Sequence, residues 1–192
     1  MTEYKYTQSC CWFPGSEINL KMETFVEKSK ENKILEIGCF EGLSSVFLAD
    51  NFINHSNSSL TCVDPYTIIN NDDHGQFFIN NHVAEDNFDF NVSVCKNSDK
   101  IIIHKTTSDL FFEKNNKTYN FIYIDGCHET DFIERDMENA FRVLESNGVM
   151  WMDDYEGGCG GAIKKTMDTF LKKYESQFDL IHIGYQLAIQ KH

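Results

Sequence analysis

The sequence predicts an α/β fold: a doubly wound, mostly parallel sheet of seven strands, the last two forming an antiparallel hairpin. Three observations predict it. Short, almost wholly apolar runs recur at Lys33–Ile37, Leu60–Val63, Ile101–His104, Phe121–Asp125 and Val149–Met152, as expected of parallel strands covered on both faces. Stretches with helical spacing lie between them, and that alternation builds a parallel sheet with helices on either side. Finally, Phe178–Ile183 and Tyr185–Ile189 alternate and meet at Gly184, the pattern of a hairpin at a sheet edge.

The elements follow in order. Residues 1–15 form an irregular arm ending in the aromatic knot Cys11-Trp12-Phe13-Pro14-Gly15. Ser16 caps a helix with an apolar stripe of Ile18, Met22, Phe25 and Val26; Asn19 stands where a capping box would place Glu. Lys33–Ile37 is the first strand, and Gly38 and Gly42 bracket a sharp turn before a helix over Leu43–Asn51. The second strand ends in Asp64. Pro65–Gly75 is polar and aperiodic, and long loops at the carboxyl ends of parallel strands tend to form walls of binding sites. Gln76–Phe90 reads as a helix with Phe77, Phe78, His82 and Phe88 on its stripe. After the third strand, Thr107 or Ser108 caps a short helix. Asp131–Leu144 is helical and stops at Asn147-Gly148. Gly157–Gly161 is a glycine-rich loop leading into a helix that runs to Tyr174.

At 192 residues the chain is expected to be one domain over 1–192, with 1–15 as an arm or lid. The formal net charge of −13 disfavours a nucleic-acid backbone or another polyanion as partner. No apolar run spans a membrane, and Met1–Ser9 has no signal-peptide pattern, so a cytoplasmic protein is expected. The seven cysteines include the adjacent Cys10 and Cys11 and offer no C-x-x-C pair. Neither a disulfide framework nor a zinc site is expected, and Cys127 and Cys159 are assigned no catalytic role.

Two constellations carry chemistry. The first is the glycine turn. It lacks G-x-G-x-x-G, since Phe40 stands at the middle position, which argues against a nicotinamide oxidoreductase. Backbone N–H groups at the start of the following helix suit a ligand's anionic end, and an acidic residue at the tip of the second strand, Asp64, suits ribose hydroxyls. The second constellation is Asp125 at the end of strand four with Asp153 and Asp154 at the end of strand five. Neighbouring strand ends share one crevice. Three carboxylates there repel one another unless a cation or a proton intervenes. Oxygen donors favour Mg²⁺, then Ca²⁺ or Mn²⁺. His128, in Asp125-Gly126-Cys127-His128, is a suitable general base beside them.

The run Glu36-Ile37-Gly38-Cys39-Phe40-Glu41-Gly42-Leu43-Ser44-Ser45 resembles the first motif of class I S-adenosylmethionine-dependent methyltransferases. It is most similar to the metal-dependent O-methyltransferases, whose motif reads E-x-G-x-x-x-G-x-S. The resemblance extends from about Trp12 to Tyr155. It implies the strand order 3-2-1-4-5-7-6 and S-adenosylmethionine held by Glu36, Gly38, Gly42, Ser44, Asp64, Ser108 and Asp125. It also implies a divalent cation, Mg²⁺ first, on Asp125, Asp153 and Asp154, with Asp125 and His128 as the catalytic pair. Catechol-type enzymes carry a lysine where His128 stands. The Asp-Gly-x-His pattern is closer to sugar O-methyltransferases of natural-product tailoring. The expected reaction is therefore methyl transfer to a hydroxyl of a small acceptor, a sugar ahead of a phenol or catechol. A homo-oligomer is left open. The alternative is a non-catalytic S-adenosylmethionine-binding or regulatory protein on the same fold.

Overall fold

The structure is a computed structural model that describes residues 3–7, 13–67, 82–157 and 161–192. Its helices are α1 (Glu17–Lys21), α2 (Leu43–Phe52), α3 (Val83–Val94), α4 (Ser108–Lys114), α5 (Thr130–Val143) and α6 (Ala162–Tyr174). Its strands are β1 (Lys33–Ile37), β2 (Ser59–Val63), β3 (Ile101–His104), β4 (Tyr119–Ile124), β5 (Leu144–Met152), β6 (Phe178–Ile183) and β7 (Leu187–Lys191). They form one seven-stranded sheet in the order β3-β2-β1-β4-β5-β7-β6. The first five strands are parallel, and β7 runs antiparallel to both β5 and β6. Fold class and strand order are those the sequence led us to expect.

Side chains alternate across a strand, and the sheet therefore divides the core in two. Ile34, Leu60, Phe121, Tyr123 and Trp151 share one cluster with Ile18 of α1, Leu48 and Phe52 of α2 and Phe88 of α3. Leu35, Ile37, Ile122, Ile124, Met150 and Met152 share the other with Phe111 of α4, Met137 and Phe141 of α5 and Ile163 and Phe170 of α6. No helix among the described residues is long and apolar enough to cross a membrane.

Several local expectations shift. Ser16 caps α1 through Asn19 N–H at 3.4 Å, but the helix gives way to a 3-10 turn at Met22–Thr24. Ile18, Met22 and Val26 still face inward. His82 is not a stripe residue: it precedes α3 with φ +56° and a largely exposed side chain. The helix before Asn147-Gly148 stops earlier, at Val143, because Leu144 already pairs with Tyr119 in the sheet. Asn147-Gly148 instead sits where the β4–β5 register shifts, with Asn147 at φ +62°. The readings placed on Cys10, Cys11, Trp12, residues 68–81 and residues 158–160 lie outside the described residues.

The ladder continues one residue past the strands at their carboxyl ends. Gly38 N–H donates to Val63 O (2.9 Å), Asp64 to His104 O (3.2 Å), Asp125 to Ile37 O (2.8 Å) and Asp153 to Ile124 O (2.9 Å). These residues therefore stand along one edge of the sheet. Gly38 fits there only without a side chain. Its φ is +83°, and a Cβ would lie 1.9 Å from the backbone oxygen of Asp125. A second tie joins β1 to α2. Glu36 is fully buried, and its two carboxyl oxygens accept the hydroxyls of Ser44 and Ser45. Burial raises its pKa to about 7, against the lowering effect of the two serines.

Two predictions follow from these contacts. Gly38→Ala must displace β4 backbone and adopt a strained φ, so urea melts should show a loss of about 3 kcal/mol or more; a loss under about 1 kcal/mol would mean the strand ends separate freely. For Glu36, the native state holds a proton that an unfolded glutamate releases near 4.5. Its stabilisation is therefore complete below pH ~4.5 and lost as pH rises through ~7, an effect of up to about 3 kcal/mol. Glu36→Gln should flatten that part of the stability–pH curve, and identical curves for the two proteins would rule the protonated glutamate out.

Candidate active site

The first part of the site is the turn between β1 and α2. Gly38, Phe40 and Gly42 all have positive φ, +83°, +45° and +79°. Gly42 leaves no room for a side chain against Phe88, where a Cβ would lie 2.9 Å from the ring. As the residue preceding α2 it offers no side-chain cap, so the helix presents backbone N–H groups at its positive end. Asp64 shapes the turn: its Oδ2 accepts from Cys39 N–H (2.9 Å) and Phe40 N–H (3.0 Å), and its Oδ1 from Tyr66 N–H (2.9 Å). Tyr66 closes the loop by donating its hydroxyl to Phe40 O at 2.9 Å. Burial pushes the pKa of Asp64 up, opposed by the three N–H donors. Of the expected cofactor residues, Gly38, Gly42 and Asp64 therefore meet at one turn. Ser44 is buried beneath it with its hydroxyl on Glu36, so that hydroxyl supports the turn from below.

The N-terminal arm rests on this turn. Glu41 accepts Thr7 N–H (2.8 Å) and Asn87 Nδ2–H (3.1 Å). Asn91 of α3 clasps Lys5 from both sides, accepting its N–H and donating to its O, each at 2.7 Å. Ser108 opens α4, and Thr107 is the residue that caps it. The Ser108 hydroxyl lies against the buried carboxyl of Asp136 on α5, whose pKa burial raises to about 6.

The second part of the site is the carboxylate cluster. Ligand atoms of Asp125, His128 and Asp154 all lie within 4.8 Å of one another. His128 Nε2 is 2.9 Å from Asp154 Oδ2. Asp154 reaches this place from a left-handed backbone, φ +59°. Asp153 stands just outside the converging group, with both oxygens engaged. Its Oδ1 accepts from Gln186 Nε2 (2.9 Å) and Asp154 N–H (2.8 Å), and its Oδ2 lies 3.0 Å from Tyr123 Oη. Tyr123 Oη is also 3.1 Å from Asp125 Oδ2. One hydroxyl hydrogen cannot serve two ionised carboxylates. Burial, then the charges of Asp153 and Asp154, hold Asp125 well above the ordinary carboxylate range. Asp153 is raised by burial as well, whereas the hydrogen bond from His128 lowers Asp154. Such a group calls for an added positive charge.

The chemistry of this donor set, oxygen-rich with one imidazole, fits a divalent cation. The bare glycine turn and uncapped helix likewise fit the carboxylate and ribose ends of S-adenosylmethionine. Beside the cluster opens a cleft of about 360 Å³ lined by Gly15, Ser16, Glu17, Asp125, His128, Asp153, Asp154, Tyr185 and Gln186. Glu17, Tyr123, Tyr185 and Gln186 were not singled out from sequence. Tyr123 is one of a run of apolar strand residues, and nothing local marks its hydroxyl. Tyr185 and Gln186 follow the hairpin glycine, and only the register of β7 on β5 brings them to the site.

Comparison with known proteins agrees with this architecture. The family described as a methyltransferase domain matches residues 35–155. No curated protein sequence matches the chain. Among solved structures, an rRNA-methylase candidate from Clostridium thermocellum superposes with a TM-score of 0.65 at 15% identity, covering 88% of this chain and 90% of the other. An O-methyltransferase from Bacillus cereus, in complex with S-adenosylhomocysteine, gives 0.60 at 13% identity over 99% of this chain and 84% of its own. The O-methyltransferase of tomaymycin synthesis from Streptomyces achromogenes, in complex with S-adenosylmethionine, gives 0.60 at 13% identity over 83% and 72%. At such identities these likenesses speak for the fold, and the matched family spans most of the sheet and both parts of the site. The chain belongs to the methyltransferase domain family, of the class I, S-adenosylmethionine-dependent type.

Proposed function

We propose that the protein is an O-methyltransferase that moves the methyl group of S-adenosylmethionine to a hydroxyl of a small polar acceptor, a sugar ahead of a phenol. The observation that carries this reading is the His128–Asp154 pair, 2.9 Å apart, opening with Asp125 onto the cleft. Among the described lining residues the only rings are those of Tyr185 and His128, and none is Lys or Arg. That lining suits a polyhydroxylated acceptor better than a flat ring, and it disfavours phosphorylated ones. A net charge of −13 argues likewise against an RNA acceptor, although a structural neighbour is described as an rRNA-methylase.

In the reaction, the acceptor oxygen forms a bond to the methyl carbon as the carbon–sulfur bond breaks, and the hydroxyl proton passes to His128. Asp154 orients the imidazole and stabilises the positive charge it gains. Gly38, Gly42 and Asp64, with Glu36 and Ser44 beneath them and Ser108 across the crevice, hold the donor. Asp125, Asp154 and Asp153 would hold Mg²⁺ or another divalent cation, which supplies charge that acidifies a nearby hydroxyl. Orientation of two bound reactants can lower a barrier by about 7–11 kcal/mol in the best cases. The arm over 1–15 would serve as a lid, since Gly15 already lines the cleft and Thr7 hangs on the donor turn. The single chain of 1–192 would act as one domain. Cys39, Cys62 and Cys95 are buried thiols outside any disulfide, which suits the reducing cytoplasm.

Calorimetric titration with S-adenosylmethionine, with and without Mg²⁺ and beside NAD⁺, should show binding of the methyl donor alone. A panel of sugars and phenols then gives metal-dependent methylation, first among the sugars. His128→Ala should lower turnover by about 10²-fold or more and leave donor affinity intact. Donor binding without transfer to any hydroxylated acceptor would favour a non-catalytic binding protein, and full turnover in the variant would remove His128 as the base.

A further inference from the structure

We propose that Tyr185 and Gln186 are positioning residues for the carboxylate cluster, delivered to it by the register of the antiparallel hairpin. The inference rests on the metal-assisted reading above. The β5–β7 ladder pairs Val149 with Gln190, Met150 with Ile189, Trp151 with Ala188 and Met152 with Leu187. Continued past the strands, the same register sets Asp153 opposite Gln186 and Asp154 opposite Tyr185. The side chains meet accordingly. Gln186 Nε2 donates to Asp153 Oδ1 at 2.9 Å, and Tyr185 Oη donates to Asp154 Oδ1 at 2.5 Å. Two successive carboxylates just past β5 thus face two successive donors just before β7.

The orientation of Gln186 follows from its surroundings. One of its side-chain amide atoms receives both Ile18 N–H (2.7 Å) and Trp151 Nε1–H (2.9 Å). Two donors converge only on an oxygen, so the amide nitrogen must face Asp153. The backbone N–H of Gln186 is taken by Glu17 at 2.7 Å, and the residue is 1% exposed. The hairpin is seated from both sides. A Cβ on Gly184 would lie 2.2 Å from Glu17 Oε1, and one on Gly157 would lie 2.5 Å from Tyr185 Oη. Each donor thus holds one oxygen of its carboxylate, while the other meets Tyr123 in Asp153 and His128 in Asp154, so that the plane of each carboxylate is fixed. Partners of this kind orient ligands and tune a metal site without touching the ion.

The test uses the full chain with Mn²⁺ as probe, its affinity read by electron paramagnetic resonance and the S-adenosylmethionine affinity by calorimetry. Tyr185→Phe removes one hydroxyl from a half-exposed ring and should fold normally. Gln186→Glu keeps an oxygen for Ile18 and Trp151 but sets a like charge against Asp153. Each should weaken Mn²⁺ about tenfold or more, with donor affinity unchanged. Unaltered Mn²⁺ affinity in both variants would overturn the positioning role and leave the metal reading standing. A parallel fall in Mn²⁺ and donor affinity would reduce the two residues to a structural role and overturn it as well. A wild-type protein that binds no Mn²⁺ would overturn the metal reading, and this inference with it.

Discussion

Gly38 and Asp125 approach so closely that a single methyl group at position 38 would overlap the Asp125 carbonyl. The rest of the site is built around that approach. It brings the end of β1 against the end of β4, so the glycine turn and the carboxylate cluster become neighbours. It also fixes Gly38 in a left-handed conformation, which aims the following residues away from the sheet and back over Asp64. Larger side chains are tolerated next door because they point elsewhere: Cys39 into the core, Phe40 against it.

The carboxyl edge of the sheet concentrates acids that the interior resists. Each is handled by a different device. Glu36 receives two serine hydroxyls, and burial raises its pKa to about 7. Asp64 is surrounded by backbone N–H groups. Asp154 is paired with an imidazole. Asp125 and Asp153 share a tyrosine hydroxyl that cannot satisfy both as anions. Burying charge is unfavourable unless it is paired, and only in this last pair is the pairing incomplete. The incompletely paired carboxylates thus stand at the cleft, where an added positive charge or a proton can reach them.

Much of this was legible in the sequence, for identifiable reasons. Buried parallel strands are continuous apolar runs, so β1, β2, β4 and β5 stand out, and Asp64, Asp125 and Asp153 mark their ends. What escaped depends on partners distant in sequence. Val143 ends α5 because Leu144 is claimed by Tyr119, not because of the Asn147-Gly148 signal. Thr107 caps α4 and leaves Ser108 to Asp136, a choice either residue's chemistry would allow. The serine of the first motif turns its hydroxyl to Glu36, which only the packing of α2 on β1 decides. Strand order came from the resemblance, since spacing alone does not say which strand lies beside which.

The hairpin between β6 and β7 has an unusual standing among exposed turns. Tyr185 is 52% exposed, and surface turns ordinarily accommodate insertions and deletions over evolutionary time. Here one added or lost residue would slide β7 along β5 or bow the turn outward. Since side chains alternate, a one-step slip exchanges inward and outward faces. The carboxylates would then face whichever neighbours arrived, and the core residues Leu187 and Ile189 would turn toward the opposite side. Keeping these contacts therefore requires a turn of constant length, a demand not placed on loops that only connect elements.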